Sequence, residues 1–239
     1  MSYMPWFVAW ALVGCVVGAE VHPNGGSPND GVALAVVYDT SGSMNEPVRD
    51  EAGKLTSKHI IARRALQAVV QRLDAFVASA TPENPRRLAA GLYLFREGRA
   101  REFLKLAPFE PATRAAWNRD LPAPSGGTPL GQALELASRA LLDSPLSRKH
   151  VLVVTDGQNT VGPDPSRVLP ALKQQAADKG AVLAVHFIAF DIEAKLFDPL
   201  RKQGVTVVGA ADEPQLNAQL EFILAKRILL EDEEPPQTP

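Results

Sequence analysis

One cysteine in 239 residues, Cys15, leaves no partner for an intrachain disulfide and no thiolate cluster for a structural zinc site. Of the four histidines, His22, His59 and His150 have none of the spacings that build a zinc centre, and His186, inside an apolar run, reads as a packed side chain. Basic residues occur in no dense run, and the formal net charge is -2, so nucleic acid is not an expected partner. No serine stands in a Gly-x-Ser-x-Gly elbow. A phosphate-loop reading around Gly53-Lys54 fails, because Leu55 replaces the needed Ser or Thr and Val48 the earlier Gly. Long apolar runs are also scarce. The one candidate, residues 1–19, falls short of the roughly 20 apolar residues that span a bilayer comfortably.

What is present suits a soluble globular chain, with 46% hydrophobic and 22% charged residues. Four segments are expected. Residues 1–19 carry no charge and end in the small residues Val17-Gly18-Ala19 before Glu20, which reads as a cleaved export signal and places the mature chain in the periplasm or outside the cell. A second reading takes Leu12-Val13-Gly14-Cys15 as a lipobox, with Cys15 as the lipidated residue. Residues 20–30 have the Gly, Pro and Asn content of a linker. Residues 31–230 form the domain, and the acidic, proline-rich residues 231–239 read as a solvated tail.

Within the domain, short apolar runs at 32–38, 88–95, 151–155, 182–189 and 205–208 alternate with helical periodicity at 57–76, 129–142, 165–178 and 213–230. A weaker run at 102–109 reads as an edge strand. Such runs fit strands buried on both faces, as in a parallel sheet. The alternation predicts an α/β fold, doubly wound, with a mostly parallel central sheet and helices on both faces. In such sheets, ligands bind at the carboxyl ends of the strands. Chemistry-bearing residues follow those ends here. Asp39, Ser41 and Ser43 come after the first strand, Asp156 follows 151–155, and Thr128 precedes a helix expected to begin at Pro129.

Carboxylates and hydroxyls are hard oxygen donors, suited to Mg²⁺, Mn²⁺ or Ca²⁺ rather than to metals that prefer sulfur or imidazole. Asp39-Thr40-Ser41-Gly42-Ser43 resembles the Asp-x-Ser-x-Ser motif of von Willebrand factor type A (VWA) domains of the bacterial exported type, and Thr128 and Thr155-Asp156-Gly157 fall in the order of that family's other two loops. The resemblance implies a metal-ion-dependent adhesion site holding Mg²⁺, with Mn²⁺ or Ca²⁺ as alternatives. Its metal residues would be Asp39, Ser41, Ser43, Thr128 and Asp156. It further implies non-catalytic binding to another protein, through an acidic residue of that partner. Two competing expectations are a metal-dependent hydrolase or phosphatase on the same site and a structural envelope module. Against catalysis, Ser41 stands where a haloacid-dehalogenase phosphatase needs a second aspartate, and no histidine is placed as a base. Asp191, after the run at 182–189, is expected at the rim of the metal face, and residues 45–56 form a long polar connection emerging beside it.

Overall fold

The computed structural model describes residues 29–229. The leader, the tail and all of the linker before Asn29 lie outside them. In chain order the elements are β1 (Val32–Tyr38), β2 (Pro47–Arg49), β3 (Leu55–Ser57), α1 (Lys58–Ala78), β4 (Leu88–Arg96), β5 (Arg99–Pro108), the one-turn α2 (Pro111–Arg114), α3 (Leu130–Asp143), β6 (Arg148–Thr155), α4 (Pro165–Asp178), β7 (Val182–Phe190), the one-turn α5 (Asp198–Arg201), β8 (Thr206–Ala210) and α6 (Glu213–Ile223). Six strands form one mixed, mostly parallel sheet in the order β5-β4-β1-β6-β7-β8, with β5 alone antiparallel.

β1 lies at the centre and shows how the pattern builds two cores. Its side chains alternate across the pleat. Val32, Leu34, Val36 and Tyr38 join α1 and α6 in one core, whereas Ala33, Ala35 and Val37 join α3 and α4 in the other. All seven residues are buried, as a central parallel strand requires. The small Ala33 and Ala35 let α3 approach the sheet closely. Gly131, at the start of α3, permits a second close approach. A Cβ there would lie 2.0 Å from the Pro163 carbonyl oxygen. A Gly131→Ala chain is therefore expected to lose about 2–3 kcal/mol of stability, because α3 and the loop before α4 must part; a thermal melt measures it.

Three expectations need correction. The helix anticipated from Pro129 begins at Leu130; Pro129 is its N-cap residue, with φ -90° and ψ 61°, so Thr128 does not cap it. The helix anticipated over 213–230 ends at Ile223 and passes into a single π turn, Leu224–Ile228. The wider turn suits the sequence, since the paired apolar residues Ile223-Leu224 and Ile228-Leu229 recur at five-residue spacing and all four are buried. The connection at 45–56 is an ordered hairpin. β2 and β3 pair antiparallel, Asp50 accepts hydrogen bonds from Ala52 and Lys54 N–H across its turn, and Glu51 N–H donates to buried Glu213 on α6.

The chain runs from β1 to β4 on one side of the sheet and returns to β6 on the other. The order reverses between β1 and β6, which opens a crevice at their carboxyl ends.

Candidate metal centre

Asp39 stands at that crevice. Its N–H still donates to Val154 O at 3.1 Å, so β1 delivers the residue in register with β6. The carboxylate is fully buried. Oδ1 accepts the Ser41 N–H at 2.7 Å, and Oδ2 accepts the Thr155 hydroxyl at 2.6 Å. Burial, the largest influence, pushes the Asp39 carboxyl up to about 6; the Ser41 and Thr155 hydrogen bonds pull it back, and the charge of Asp156 adds to the rise. These donors are neutral, and among the described residues no cationic side chain is in direct contact with the carboxylate.

The three hydroxyls of the first loop divide by role. Thr40 turns away: its Oγ1 accepts the Phe95 N–H at 3.0 Å and donates to the Phe95 carbonyl, tying the loop to the end of β4. Ser41 and Ser43 face inward across the short 3₁₀ turn at Gly42–Asn45, with their Oγ atoms 3.1 Å apart. Ser43 Oγ then donates to Asp156 Oδ1 at 2.8 Å.

Thr128 arrives from the second loop, buried and held by a two-way clasp with Thr160. Its N–H donates to Thr160 Oγ1 at 2.8 Å, and the Thr160 N–H returns to Thr128 O at 3.0 Å. Gly157 sits between it and Ser43. A Cβ on Gly157 would come 3.3 Å from Thr128 Oγ1 and 3.9 Å from Ser43 Oγ, so the glycine leaves the space between those oxygens open. The loops also brace one another, since Gly42 N–H donates to Gly126 O and Ser125 N–H to Thr40 O. Gly126 has φ +74° and packs on the tip of the β4–β5 hairpin, where an added Cβ would meet Gly98 N at 3.1 Å.

Asp156 brings in a residue for which the sequence shows no motif. Its Oδ2 accepts from Lys58 Nζ at 3.1 Å, and the same ammonium reaches Glu46 at 3.1 Å and Asp191 at 3.0 Å. Burial raises the Asp156 carboxyl, while Ser43 and Lys58 oppose the rise. Burial pulls the Lys58 ammonium down, but its contacts with Asp191, Asp156 and Glu46 prevail and hold it above the ordinary lysine value. Asp191 is therefore more than the expected rim residue. It adopts a left-handed backbone, φ +53°, and its N–H donates to Ala210 O at 2.7 Å.

The chain matches the family model for the von Willebrand factor type A domain over residues 34–158, from β1 through the Asp156 loop. The chain belongs to that family. VWA domains often mediate protein interaction. No curated protein matches the chain in sequence. Among solved structures, this VWA domain is similar to the D319A mutant of the PilB minor pilin from Streptococcus sanguinis, with 16% identity, TM-score 0.59, and 84% of this chain and 62% of that chain covered. It is similar to the vWF domain of the type V pili tip protein Mfa5 from Porphyromonas gingivalis, with 13% identity, TM-score 0.56, and 87% and 99% covered. A third is proximal thread matrix protein 1 from the mussel byssus with a zinc-occupied MIDAS motif, with 15% identity, TM-score 0.55, and 82% and 48% covered. This chain thus spans about three fifths of the pilin and half of the byssus protein. At these identities the likeness is one of fold.

The donor set of this VWA domain fits a hard divalent cation. Two carboxylates and three hydroxyls, all oxygen, face one crevice, and among the described residues Asp39 has no cationic partner in contact. Among the described residues no cluster of three or more His, Cys, Asp or Glu forms a metal cage, so any such site must draw on the hydroxyls. A cavity of about 880 Å³ lies elsewhere, between the β5 edge and the end of α3, lined by Arg87, Leu106, Phe109 and Leu146. Among the described residues no helix is long and apolar enough to cross a membrane.

Proposed function

We propose that this VWA domain is a non-catalytic, divalent-metal-dependent protein-binding module, exported from the cytoplasm, whose metal centre takes a carboxylate from a partner protein. One observation carries the reading: Asp39 is fully buried at the β1–β6 switch point and hydrogen-bonded only by neutral donors, beside the inward-facing hydroxyls of Ser41 and Ser43 and a clasped Thr128. Ser41, Ser43 and Thr128 would offer neutral oxygens, with Asp39 and Asp156 binding directly or through water. Mg²⁺ is the first choice for oxygen donors that leave room for water, and Mn²⁺ or Ca²⁺ suit the same atoms. When bound, the cation supplies a Lewis-acidic centre with an exchangeable position, attractive to an anionic oxygen because of the ion's own charge. The protein's part is to present that charge at a rigid rim. Thr40 pins the first loop to β4, Thr160 pins the second, and Gly157 keeps the approach open. Export rests on the uncharged leader at residues 1–19.

The test is capture of envelope proteins on the immobilised domain with Mg²⁺ or Mn²⁺ and with chelator. A partner retained only with the cation, and lost on Ser43→Ala, is the expected result. Retention that ignores both chelator and substitution would end the metal-dependent reading, and phosphatase or esterase turnover with either ion would end the non-catalytic one.

A further inference from the structure

Lys58 occupies a place that general rules make unfavourable for lysine. It is the first residue of α1, where the helix dipole repels a cation, and it is 3% exposed, although lysine is seldom buried. Three carboxylates surround it, from the first loop (Glu46), the end of β6 (Asp156) and the end of β7 (Asp191). An ammonium has three N–H donors, and these three partners take them all. No donor is left to receive a partner's carboxylate, so Lys58 does not bind the partner itself. Of its partners, Asp156 is fully buried, whereas the side chains of Asp191 and Glu46 are 40% and 66% exposed. The ammonium thus matters most to Asp156, which is also the carboxylate whose other oxygen accepts from Ser43.

We propose that Lys58 is the affinity-setting residue of the metal centre: a resident cation that claims one oxygen of Asp156, reduces the negative charge offered to a divalent ion, and so keeps that ion loosely held and electron-poor enough to draw in a partner's carboxylate. This inference rests on the metal reading above. Its physical content is the sign of a charge effect. A fixed ammonium in contact with a ligand carboxylate repels an incoming cation at short range in a poorly screened site. Removing the ammonium must strengthen metal binding. A lysine that merely held the loops together would, when removed, weaken it.

The experiment is a calorimetric titration of Mn²⁺ into the metal-free chain, with a thermal melt of each variant. Lys58→Met is expected to bind Mn²⁺ about tenfold or more tightly than the wild type. Glu46→Gln, at an exposed position, frees the ammonium to press on Asp156 and is expected to bind a few-fold more weakly, an effect that vanishes in the Lys58→Met background. If Lys58→Met melts cooperatively yet binds Mn²⁺ no more tightly than the wild type, the proposal is overturned while the metal reading stands. If Lys58→Met does not fold, Glu46→Gln decides, and an unchanged affinity overturns the proposal. A wild-type chain that takes up no Mn²⁺ removes the metal reading itself, and this one with it.

Discussion

At neutral pH without divalent cations, an Asp39→Asn chain is expected to melt above the wild type, and on adding Mg²⁺ or Mn²⁺ the order is expected to reverse. The wild-type carboxylate is fully buried and carries a charge met by neutral donors from Ser41 and Thr155. Its carboxyl stands at about 6 instead of the usual 3.8, chiefly through burial. A folded-state value above the unfolded one favours the fold below the unfolded pKa and loses that contribution as pH rises through 6, so at pH 7 the ionised group is a net cost. Asparagine removes the charge and keeps the bonds. Its Oδ1 accepts the Ser41 N–H, and its Nδ2 donates to Thr155 Oγ1, whose own proton already has an alternative acceptor in the Gly157 carbonyl at 3.0 Å. The gain is about 2 kcal/mol after allowing for weaker hydrogen bonds, or roughly 4–8 °C for a domain of this size. A cation at a hundredfold excess over its dissociation constant stabilises the wild type by about 2.7 kcal/mol and the variant by nothing. Paired melts with and without Mg²⁺ check both halves. The metal-free difference should also close below about pH 4, where both side chains are neutral. A variant that melts lower than the metal-free wild type, or that still gains stability from Mg²⁺, contradicts the assignment of Asp39.

How much of this was legible in the residues depends on the range of the contacts involved. β1 and α4 occupy the residues expected of them, because a continuous buried run and a Pro-initiated amphipathic stretch are local signals. Strand alternation implied a doubly wound sheet with its ligand site at the carboxyl ends of the strands; the order reversal between β1 and β6, where the Asp39 and Asp156 loops lie, is seen only in the fold. The beginning of β5 escaped notice because its hairpin turn is Glu97-Gly98, two residues that both take positive φ, and glutamate does not advertise such a turn. The β2–β3 hairpin was hidden by polar composition; its stability comes from the Asp50 side chain and from Glu213 on distant α6. Lys58 and Thr160 were invisible for the same reason. Each meets its partner across a long stretch of chain, and neither belongs to a local pattern. His186 is expected as a packed histidine and His150 has no metal-site spacing; strand register makes the two a pair that sequence spacing does not show.

That pair is expected to make stability fall steeply between pH 6.5 and 4. His150 on β6 and His186 on β7 stack 5.5 Å apart and nearly parallel, with His150 Nδ1 3.2 Å from His186 Nε2, and both rings are buried on the side of the sheet covered by α6. One contact of that kind admits one proton between the two facing nitrogens, which fits neutral rings. Burial drives both down, His150 to about 3 and His186 to about 4; His186 and then Arg148 add to the fall for His150, and Arg227 does so for His186. Folded-state values below the unfolded 6.5 mean that the unfolded chain binds more protons in this window, so stability rises with pH and is lost as pH falls. Each ring contributes about 1.4 kcal/mol per pH unit, or on the order of 4 kcal/mol for the pair between pH 6.5 and 5. That is a large share of the roughly 5–15 kcal/mol available to a domain. Asp39 acts in the opposite sense over the same range, so the comparison must isolate the histidines. A His150→Leu/His186→Leu chain, unfolded in urea at pH 7 and pH 5, is expected to lose several kcal/mol less than the wild type between the two conditions. Equal losses in the two chains would mean that the folded rings take up protons over the same range as the unfolded chain, so that burial and the nearby arginines do not oppose their charging.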